Sequence, residues 1–276
     1  MSSAAEAQGV PRRPAASISS PTMPSQASIR NSLHRANKLR RVLQEPSYRQ
    51  ALRQGVAATT EHEDVVFPRE YGTVIDVGAN RGQFALFALH RFPAAQLLCF
   101  EPLQEAHRKL TEVVGGDPRV RVERCAIGAT DGSRSLNITR SDDSSSLLQP
   151  TALQLENFPK TNSISAIDVN VRRLDDIFEA DRFSPPFLLK IDVQGFELEV
   201  LRGGDHMLQG VDEVFVECSF VELYTGQALA GELIAHLWSR GFQLVGVFGV
   251  KRDVAGQCLQ ADVLFQRLAD EHAPSV

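Results

Sequence analysis

The residues that could do chemistry fall into two groups, and the first surrounds a glycine loop at positions 78–82. The loop reads Gly-Ala-Asn-Arg-Gly, it follows an apolar segment that contains Asp76, and the next apolar segment ends at Glu101. Glycines let the backbone approach a ligand closely, and the helix after the loop offers free N–H groups to an anion. A carboxylate after the second strand can accept hydrogen bonds from ribose hydroxyls. This pattern predicts a nucleotide-type pocket at the first turn of a doubly wound sheet.

The identity of the loop residues favours S-adenosylmethionine over a dinucleotide. The dinucleotide fingerprint has a middle glycine that brings the backbone onto a pyrophosphate, and this chain has Asn80 between Gly78 and Gly82. Asp76 lies just before the loop, where a carboxylate repels a pyrophosphate but suits an ammonium group. S-adenosylmethionine carries that ammonium, a carboxylate for the helix N-terminus and a ribose for Glu101. NAD, and a tight turn that binds nothing, stay open as alternatives.

The second group lies in two further segments that we predict as the fourth and fifth strands, residues 187–193 and 212–220. Lys190 and Asp192 are two positions apart and therefore share one side of the fourth strand. Charged side chains in an apolar strand are costly unless they are paired or used. Asp192 could take a proton from a hydroxyl or orient it, and Lys190 could stabilise the developing alkoxide. The alternative is a structural ion pair of Lys190 with Asp192 or Glu197.

Glu217 lies near the end of the fifth strand, so we expect it to face Asp192 across a cleft. Two carboxylates on adjacent strand ends can bind Mg²⁺ through water, and a metal would lower the pKa of a substrate hydroxyl. Because no further ligand clusters with Asp192 and Glu217 in the sequence, we do not expect a metal site, although Mg²⁺ at these two residues stays open. Without a metal, Glu217 is expected to hydrogen-bond to the substrate.

Strand-like and helix-like patterns alternate from residue 73 onward, and these elements must position both groups. Near-continuous apolar strands suit a parallel sheet that is buried on both faces. Two closing strands follow one another without a helix between them and are therefore expected to form an antiparallel pair. The pattern predicts an α/β fold with strands at 73–79, 95–102, 119–128, 187–193, 212–220, 243–250 and 261–267.

Composition divides the chain into segments. Residues 1–29 are rich in Ser, Ala and Pro and are predicted to be a disordered tail. Residues 30–60 are predicted to be a helical extension; its basic part, 30–54, is expected to pack on the main domain, with contact to a partner or an anionic surface as the alternative. The main domain is expected at 61–268, followed by a short tail at 269–276. The segment 128–178 interrupts the alternation beside the carboxyl ends of the strands. We interpret it as a substrate cover, with an ordinary surface loop as the alternative.

Charge and cysteine content restrict the function classes and the compartment. The 276 residues carry a net charge of −5, which gives no sign of a general nucleic-acid binder. The four cysteines are scattered, with no C-x-x-C pair, so neither a zinc site nor a disulfide framework is indicated and a cytoplasmic location is expected. The sequence contains no apolar run of about 18 residues, so it predicts no membrane span.

With all its strands considered, the chain resembles the FkbM family of S-adenosylmethionine-dependent methyltransferases. The motifs that carry the resemblance are VIDVGANRGQF (74–84), CFEP (99–102), CAIG (125–128), DDSSSL (142–147), RRLDDIF (172–178), KIDVQGFE (190–197) and VFVECSFVELYTGQ (214–227). The resemblance implies a Rossmann-like class I methyltransferase fold, with a seven-stranded, mostly parallel sheet and helices on both faces. It also implies methyl transfer to a hydroxyl of a small molecule, namely a sugar, a glycoside or a polyketide-type product. N-methylation, an NAD-dependent oxidoreductase and an inactive cofactor-binding module are the alternatives.

The resemblance also assigns cofactor-binding positions. The methionine part of S-adenosylmethionine is expected to contact Asp76, Gly78, Asn80 and Gly82. The ribose is expected at Glu101. Ala126 and Ile127, just past the third strand, are expected to lie at the adenine and to contact it through a backbone N–H.

Overall fold

The computed structural model describes residues 45–59, 62, 65, 67–139 and 145–269. Most of the predicted N-terminal segments, part of the DDSSSL motif and nearly all of the C-terminal tail lie outside these residues. Within them the chain forms ten strands: β1 (Thr73–Val77), β2 (Gln96–Phe100), β3 (Val120–Glu123), β4 (Ala126–Ile127), β5 (Gly132–Thr139), β6 (Ser163–Arg172), β7 (Phe187–Ile191), β8 (Glu213–Ser219), β9 (Phe242–Arg252) and β10 (Cys258–Arg267).

Seven of these strands form the main sheet, in the order β3-β2-β1-β7-β8-β10-β9. The neighbours β3, β2, β1, β7 and β8 pair in parallel, whereas β10 is antiparallel to both β8 and β9. The predicted fold class and the antiparallel closing pair are thus confirmed. The strand order reverses beside β1, and in open α/β sheets ligands bind outside the carboxyl ends of the strands at such a switch point.

Helices cover both faces of the main sheet. In the described part of the chain they are α1 (Pro46–Arg53), α2 (Gln83–Arg91), α3 (Gln104–Val114), α4 (Ala152–Asn157), α5 (Leu174–Ile177), α6 (Glu197–Gly203) and α7 (Ala230–Ser239). The apolar residues of each strand alternate between the two faces: Ile75 and Val77 of β1 pack into one buried cluster and Val74 into the other. None of these helices is long and apolar enough to cross a membrane.

The region after β3 departs from the sequence prediction. We predicted one strand over 119–128, but the main-sheet strand ends at Glu123, and after Arg124 and Cys125 the chain forms β4, which pairs with β6. The small sheet β4-β6-β5 therefore holds most of the predicted insertion. The single-strand prediction was wrong, and the sequence does not show the break because Cys125 and Ile127 continue the alternation of β3: their side chains lie in one buried cluster, whereas Val120 and Val122 pack against the other.

The start of the described chain packs on the main domain. Helix α1, which lies in the predicted helical extension, buries Tyr48 and Ala51 in the same apolar cluster as residues of α2. This contact agrees with the expectation that this part of the extension is a helix that packs on the main domain.

Candidate active site

The glycine loop touches the end of β7, and Gly78 is required by that contact. Gly78 has φ +80°, and a Cβ built on it would lie 1.9 Å from the Asp192 carbonyl oxygen. Gly82 has φ +95° and begins α2, where a Cβ would lie 3.0 Å from Leu110 Cδ1. A larger residue at position 78 would thus push β1 and β7 apart at the switch point.

Glu101 holds the loop from the neighbouring strand. Its carboxylate accepts hydrogen bonds from the Asn80 backbone N–H at 2.9 Å and from the Leu103 N–H at 2.8 Å. The side chain is buried, and burial raises the pKa of Glu101 to about 7, against the lowering effect of the two backbone hydrogen bonds. The predicted ribose-binding residue therefore stands directly beside the loop and also fixes its conformation.

Asp76 and Lys190 are register partners on β1 and β7, and they form a buried ion pair. Lys190 Nζ lies 3.0 Å from Asp76 Oδ1 and also donates to the Gly78 carbonyl at 3.2 Å. Asp76 has no exposed surface, and burial raises its pKa, while Lys190 opposes that shift. Burial alone would lower the pKa of Lys190, but the charges of Asp76 and Asp192 more than reverse this and raise it. The Lys190 ammonium thus occupies the place beside Asp76 that the sequence suggested for the ammonium of a cofactor.

Glu197 does not pair with Lys190, so that alternative prediction was wrong. Its buried carboxylate instead accepts hydrogen bonds from the backbone N–H groups of Gly195 at 2.9 Å and Val193 at 3.3 Å, and it closes the turn between β7 and α6. Burial raises the pKa of Glu197 to about 7. Asp192 is the second ionic neighbour of Lys190, at 4.0 Å. Proximity in the sequence suggested Asp192 and Glu197 as partners of Lys190, whereas its closer partner, Asp76, lies on the adjacent strand β1.

Asp192 and Glu217 lie close together, as predicted, and the amide of Gln194 joins them. Gln194 Nε2 donates to Asp192 Oδ1 at 2.7 Å and to Glu217 Oε2 at 3.1 Å. The Asp192 side chain is 41% exposed, whereas that of Glu217 is 12% exposed. Asp192 is therefore the carboxylate that a substrate can reach, and Glu217 lies behind it.

Residues of β9 and β10, the last two strands of the main sheet, also contact Glu217. Gln260 Nε2 donates to its Oε1, and Lys251 Nζ lies 3.5 Å from the same oxygen. Burial, reinforced by the charge of Asp192, raises the pKa of Glu217 to about 8. In the described part of the chain no group of three or more His, Cys, Asp or Glu side chains is arranged to hold a metal ion. The possible Mg²⁺ site at Asp192 and Glu217 thus gains no third protein ligand there.

A strap formed by residues 145–154, which belong to the segment interpreted as a substrate cover, and by Tyr224 contacts this site. Ser146 Oγ donates to the Gln194 carbonyl at 2.6 Å, and Tyr224 OH donates to Gln194 Oε1 at 3.0 Å. Gln154 Nε2 in turn donates to Tyr224 OH at 3.1 Å. The motifs that contain Ser146 and Tyr224 were visible in the sequence, but only the folded chain brings them onto Gln194.

The two residues predicted at the adenine lie in β4. Ala126 and Ile127 pair with Val171 and Arg172 of β6, and both are buried. They come directly after β3, whose last residue accepts the Glu101 backbone N–H at 3.1 Å. Ala126 and Ile127 therefore lie just beyond the end of β3 that contacts Glu101. Their contact with adenine stays a prediction.

The raised pKa of Glu217 predicts that the protein loses stability as pH rises from about 4.5 to about 8. Glu217, with a pKa of about 8, binds a proton in the folded state at pH values where the unfolded chain, at about 4.5, has lost it. The stabilisation is complete below pH 4.5 and is lost as pH rises towards 8, at most about 1.4 kcal/mol per pH unit for one group. We expect urea unfolding between pH 5 and 8 to show this decline and Glu217→Gln to reduce it. An unchanged slope in Glu217→Gln would contradict the assignment.

Comparison with known proteins agrees with this geometry. The family model described as the methyltransferase FkbM domain matches residues 76–244. The chain is 30% identical over 218 residues to the 2-O-methyltransferase NoeI of Sinorhizobium fredii, covering 75% of this chain and 88% of the relative. It is 27% identical over 143 residues to the hexuronic acid methyltransferase AglP of Haloferax volcanii, covering 51% and 54%. It is 26% identical over 193 residues to the 31-O-demethyl-FK506 methyltransferase FkbM of Streptomyces tacrolimicus, covering 62% and 73%.

Among solved structures, the chain is similar to the ribosomal protein L11 methylase of Lactobacillus delbrueckii, with 12% identity, a TM-score of 0.40 and coverage of 79% and 76%. That score is too low to carry a functional argument. The family model, by contrast, matches more than half of the 276 residues and includes the glycine loop, Glu101, the β7 motif and β8. The chain therefore belongs to the FkbM methyltransferase family.

Proposed function

We propose that the protein is an S-adenosylmethionine-dependent O-methyltransferase for a hydroxyl of a sugar, a glycoside or a polyketide-type product. The observation that carries this proposal is the position of Asp192. Its carboxylate is accessible, it follows β7 directly, and its backbone carbonyl packs against the glycine loop. A general base or hydroxyl-orienting group is thus adjacent to the loop that would hold the methyl donor.

The residues around the loop fit the proposed cofactor. Gly78 and Gly82 adopt the positive φ angles that shape the loop, and Glu101 offers a carboxylate at the ribose position. Asn80 Oδ1 is buried and has no hydrogen-bond partner among the described residues, which leaves an acceptor for an ammonium group. Asp76 would act on the cofactor through Lys190 and the loop rather than by direct contact, because its carboxylate has no exposed surface.

The chain's own residues would orient the acceptor and move its proton. S-adenosylmethionine supplies a methyl group on a sulfonium. As the acceptor oxygen takes the methyl group and the sulfur leaves as the thioether, the hydroxyl proton would pass to Asp192. Lys190 Nζ, 4.0 Å from Asp192 Oδ2, places a positive charge beside the carboxylate that would take this proton. Glu217, with its raised pKa, would retain a proton near neutral pH and hydrogen-bond to the acceptor or to Gln194.

The names of three relatives support an oxygen acceptor. Two of them carry "O-methyltransferase" or an O-demethyl substrate in their names, and one names a hexuronic acid. A panel of p-nitrophenyl glycosides, chitooligosaccharides and free glucuronic acid, incubated with S-adenosylmethionine, tests the acceptor class. We expect product masses that are larger by one methylene unit. Methylation of amines only would favour the N-methyltransferase alternative.

The cofactor assignment predicts a loss of affinity in Glu101 variants. Glu101→Ala should weaken S-adenosylhomocysteine binding by about 1–3 kcal/mol, because a charged acceptor for ribose hydroxyls is lost. Isothermal titration calorimetry measures this change. Glu101→Gln is the matched variant, since it keeps one oxygen acceptor and the side-chain volume, and it should lose less. Equal affinity in all three proteins would remove Glu101 from the site, and tighter binding of NADH than of S-adenosylhomocysteine would overturn the cofactor assignment.

A further inference from the structure

Both polar atoms of the Gln194 side chain and its backbone carbonyl form hydrogen bonds at the site. Its side-chain nitrogen donates to Asp192 and Glu217, its side-chain oxygen accepts from Tyr224, and its backbone carbonyl accepts from Ser146. An amide nitrogen has two hydrogens, so both are committed to the two carboxylates. Gln194 thus hydrogen-bonds to the accessible carboxylate, to the buried carboxylate and to the strap at the same time.

The backbone at Gln194 is also in a conformation that side chains rarely adopt. Its φ is +57°, in the left-handed region, and the following Gly195 has φ +99°. A residue other than glycine at such an angle costs free energy, and it persists where the surrounding contacts determine it. Gly195 allows the turn to pack closely on Tyr224, because a Cβ there would lie 3.1 Å from Tyr224 Cβ. The strained turn aims the Gln194 amide at the gap between the two carboxylates.

Asp192 needs such a support because it is otherwise weakly held. Its side chain is substantially exposed, and its closest charged neighbour, Lys190, is 4.0 Å away and lies nearer to Asp76. Glu217, in contrast, also contacts Gln260 and Lys251, and it is therefore a fixed anchor. The Gln194 amide ties the exposed carboxylate to this anchor at a defined separation.

We propose that Gln194 is a positioning residue for methyl transfer, whose side-chain amide sets the placement of the Asp192 carboxylate relative to Glu217 and is itself held by the strap. The proposal rests on the proposed function, because it needs Asp192 to act on the acceptor hydroxyl. It assigns a role to the strap as well: Ser146 and Tyr224 keep the amide in its orientation. Gln194 contacts no reacting atom and acts only through the carboxylates.

The test replaces Gln194 by methionine, which has a similar length and volume and lacks the amide. Like glutamine, methionine has a Cβ and an unbranched side chain, so the cost of the positive φ at this position stays similar. With S-adenosylmethionine and the p-nitrophenyl glycoside that the wild-type protein methylates fastest, we expect kcat to fall about 10- to 100-fold. The dissociation constant for S-adenosylhomocysteine and the KM for S-adenosylmethionine should stay within about threefold of wild type. A crystal structure of the variant with S-adenosylhomocysteine should show the Asp192 and Glu217 carboxylates farther apart than in the wild-type protein.

Two further comparisons separate positioning from a general structural role. In an Asp192→Asn background, Gln194→Met should add less than about threefold to the loss, because the residue acts through Asp192. The matched control is Gln266→Met, since Gln266 Nε2 donates to the buried Glu213 at 3.3 Å near the opposite end of β8. That variant loses a comparable amide–carboxylate bond and should keep the wild-type kcat.

Several results would overturn the proposal. They are an unchanged kcat per folded molecule in Gln194→Met, unmoved carboxylates in its crystal structure, or a loss that multiplies fully with that of Asp192→Asn. If the wild-type protein methylates no glycoside of the panel, the proposed acceptor class fails. The carboxylate separation in the two crystal structures then decides alone whether Gln194 positions Asp192.

Discussion

Asp192→Asn is expected to lower kcat on the order of 10²-fold or more while cofactor affinity stays within about threefold of wild type. Asparagine keeps the shape of the side chain and one oxygen acceptor for the Gln194 amide, but it removes the charge that would accept the hydroxyl proton. Methyl transfer is an in-line displacement, so the acceptor oxygen must also be held opposite the leaving sulfur, and a carboxylate next to the glycine loop can do both. Steady-state kinetics and calorimetry with S-adenosylhomocysteine measure the two quantities.

Measurements of the free energy of unfolding, and of activity after removal of metal ions, complete this experiment. If Asp192 were only structural, Asp192→Asn would lower the free energy of unfolding and leave kcat per folded molecule unchanged. If Mg²⁺ bound between Asp192 and Glu217, EDTA would abolish activity, Mg²⁺ would restore it, and Glu217→Gln would show the same loss. Full activity in EDTA would eliminate the metal and leave Asp192 as the base. A fully active Asp192→Asn protein would eliminate both roles.

Lys190→Met is expected to lower the free energy of unfolding by about 3–5 kcal/mol, the usual scale for breaking one side of a buried ion pair. The variant leaves the Asp76 carboxylate with no exposed surface and without its ammonium partner at 3.0 Å. It also removes the donor to the Gly78 carbonyl, so the glycine loop should loosen. Urea unfolding gives the stability change, and hydrogen exchange of the loop amides reports the loosening.

Two further variants test whether the loss of stability in Lys190→Met comes from the buried ion pair with Asp76. The double variant Lys190→Met/Asp76→Asn removes both charges and should recover much of the lost stability, because no uncompensated carboxylate remains buried. Arg240→Met breaks an ion pair with Asp205 of similar length, 2.6 Å, in which both side chains are more than a third exposed, and it should cost less than about 1 kcal/mol. If Lys190→Met kept full stability and lost only kcat, Lys190 would act on the developing alkoxide and not on Asp76.

The glycine loop, Glu101 and the β7 motif could be recognised before the fold was known because each is a local pattern. A loop between an apolar strand and a helix, followed by an acidic residue at the end of the next strand, constrains the chain to one type of turn. The seven strands and the antiparallel closing pair also follow from local periodicity and from the order of elements. The break between β3 and β4 did not follow, because the apolar residues on both sides of it continue the same alternation.

The sequence by itself therefore determined the family, the sheet and the side of the sheet on which the chemistry must lie. Only the tertiary structure decided which charged groups meet. The parallel register of β1 and β7 places Lys190 Nζ 3.0 Å from Asp76, closer than the 4.0 Å that separates it from Asp192. The strap reaches Gln194 from a different part of the chain, and the two carboxylates share one amide. Such pairings depend on strand register and on burial, which set the distance and the dielectric environment between charges, and neither is encoded in the spacing of residues along the chain.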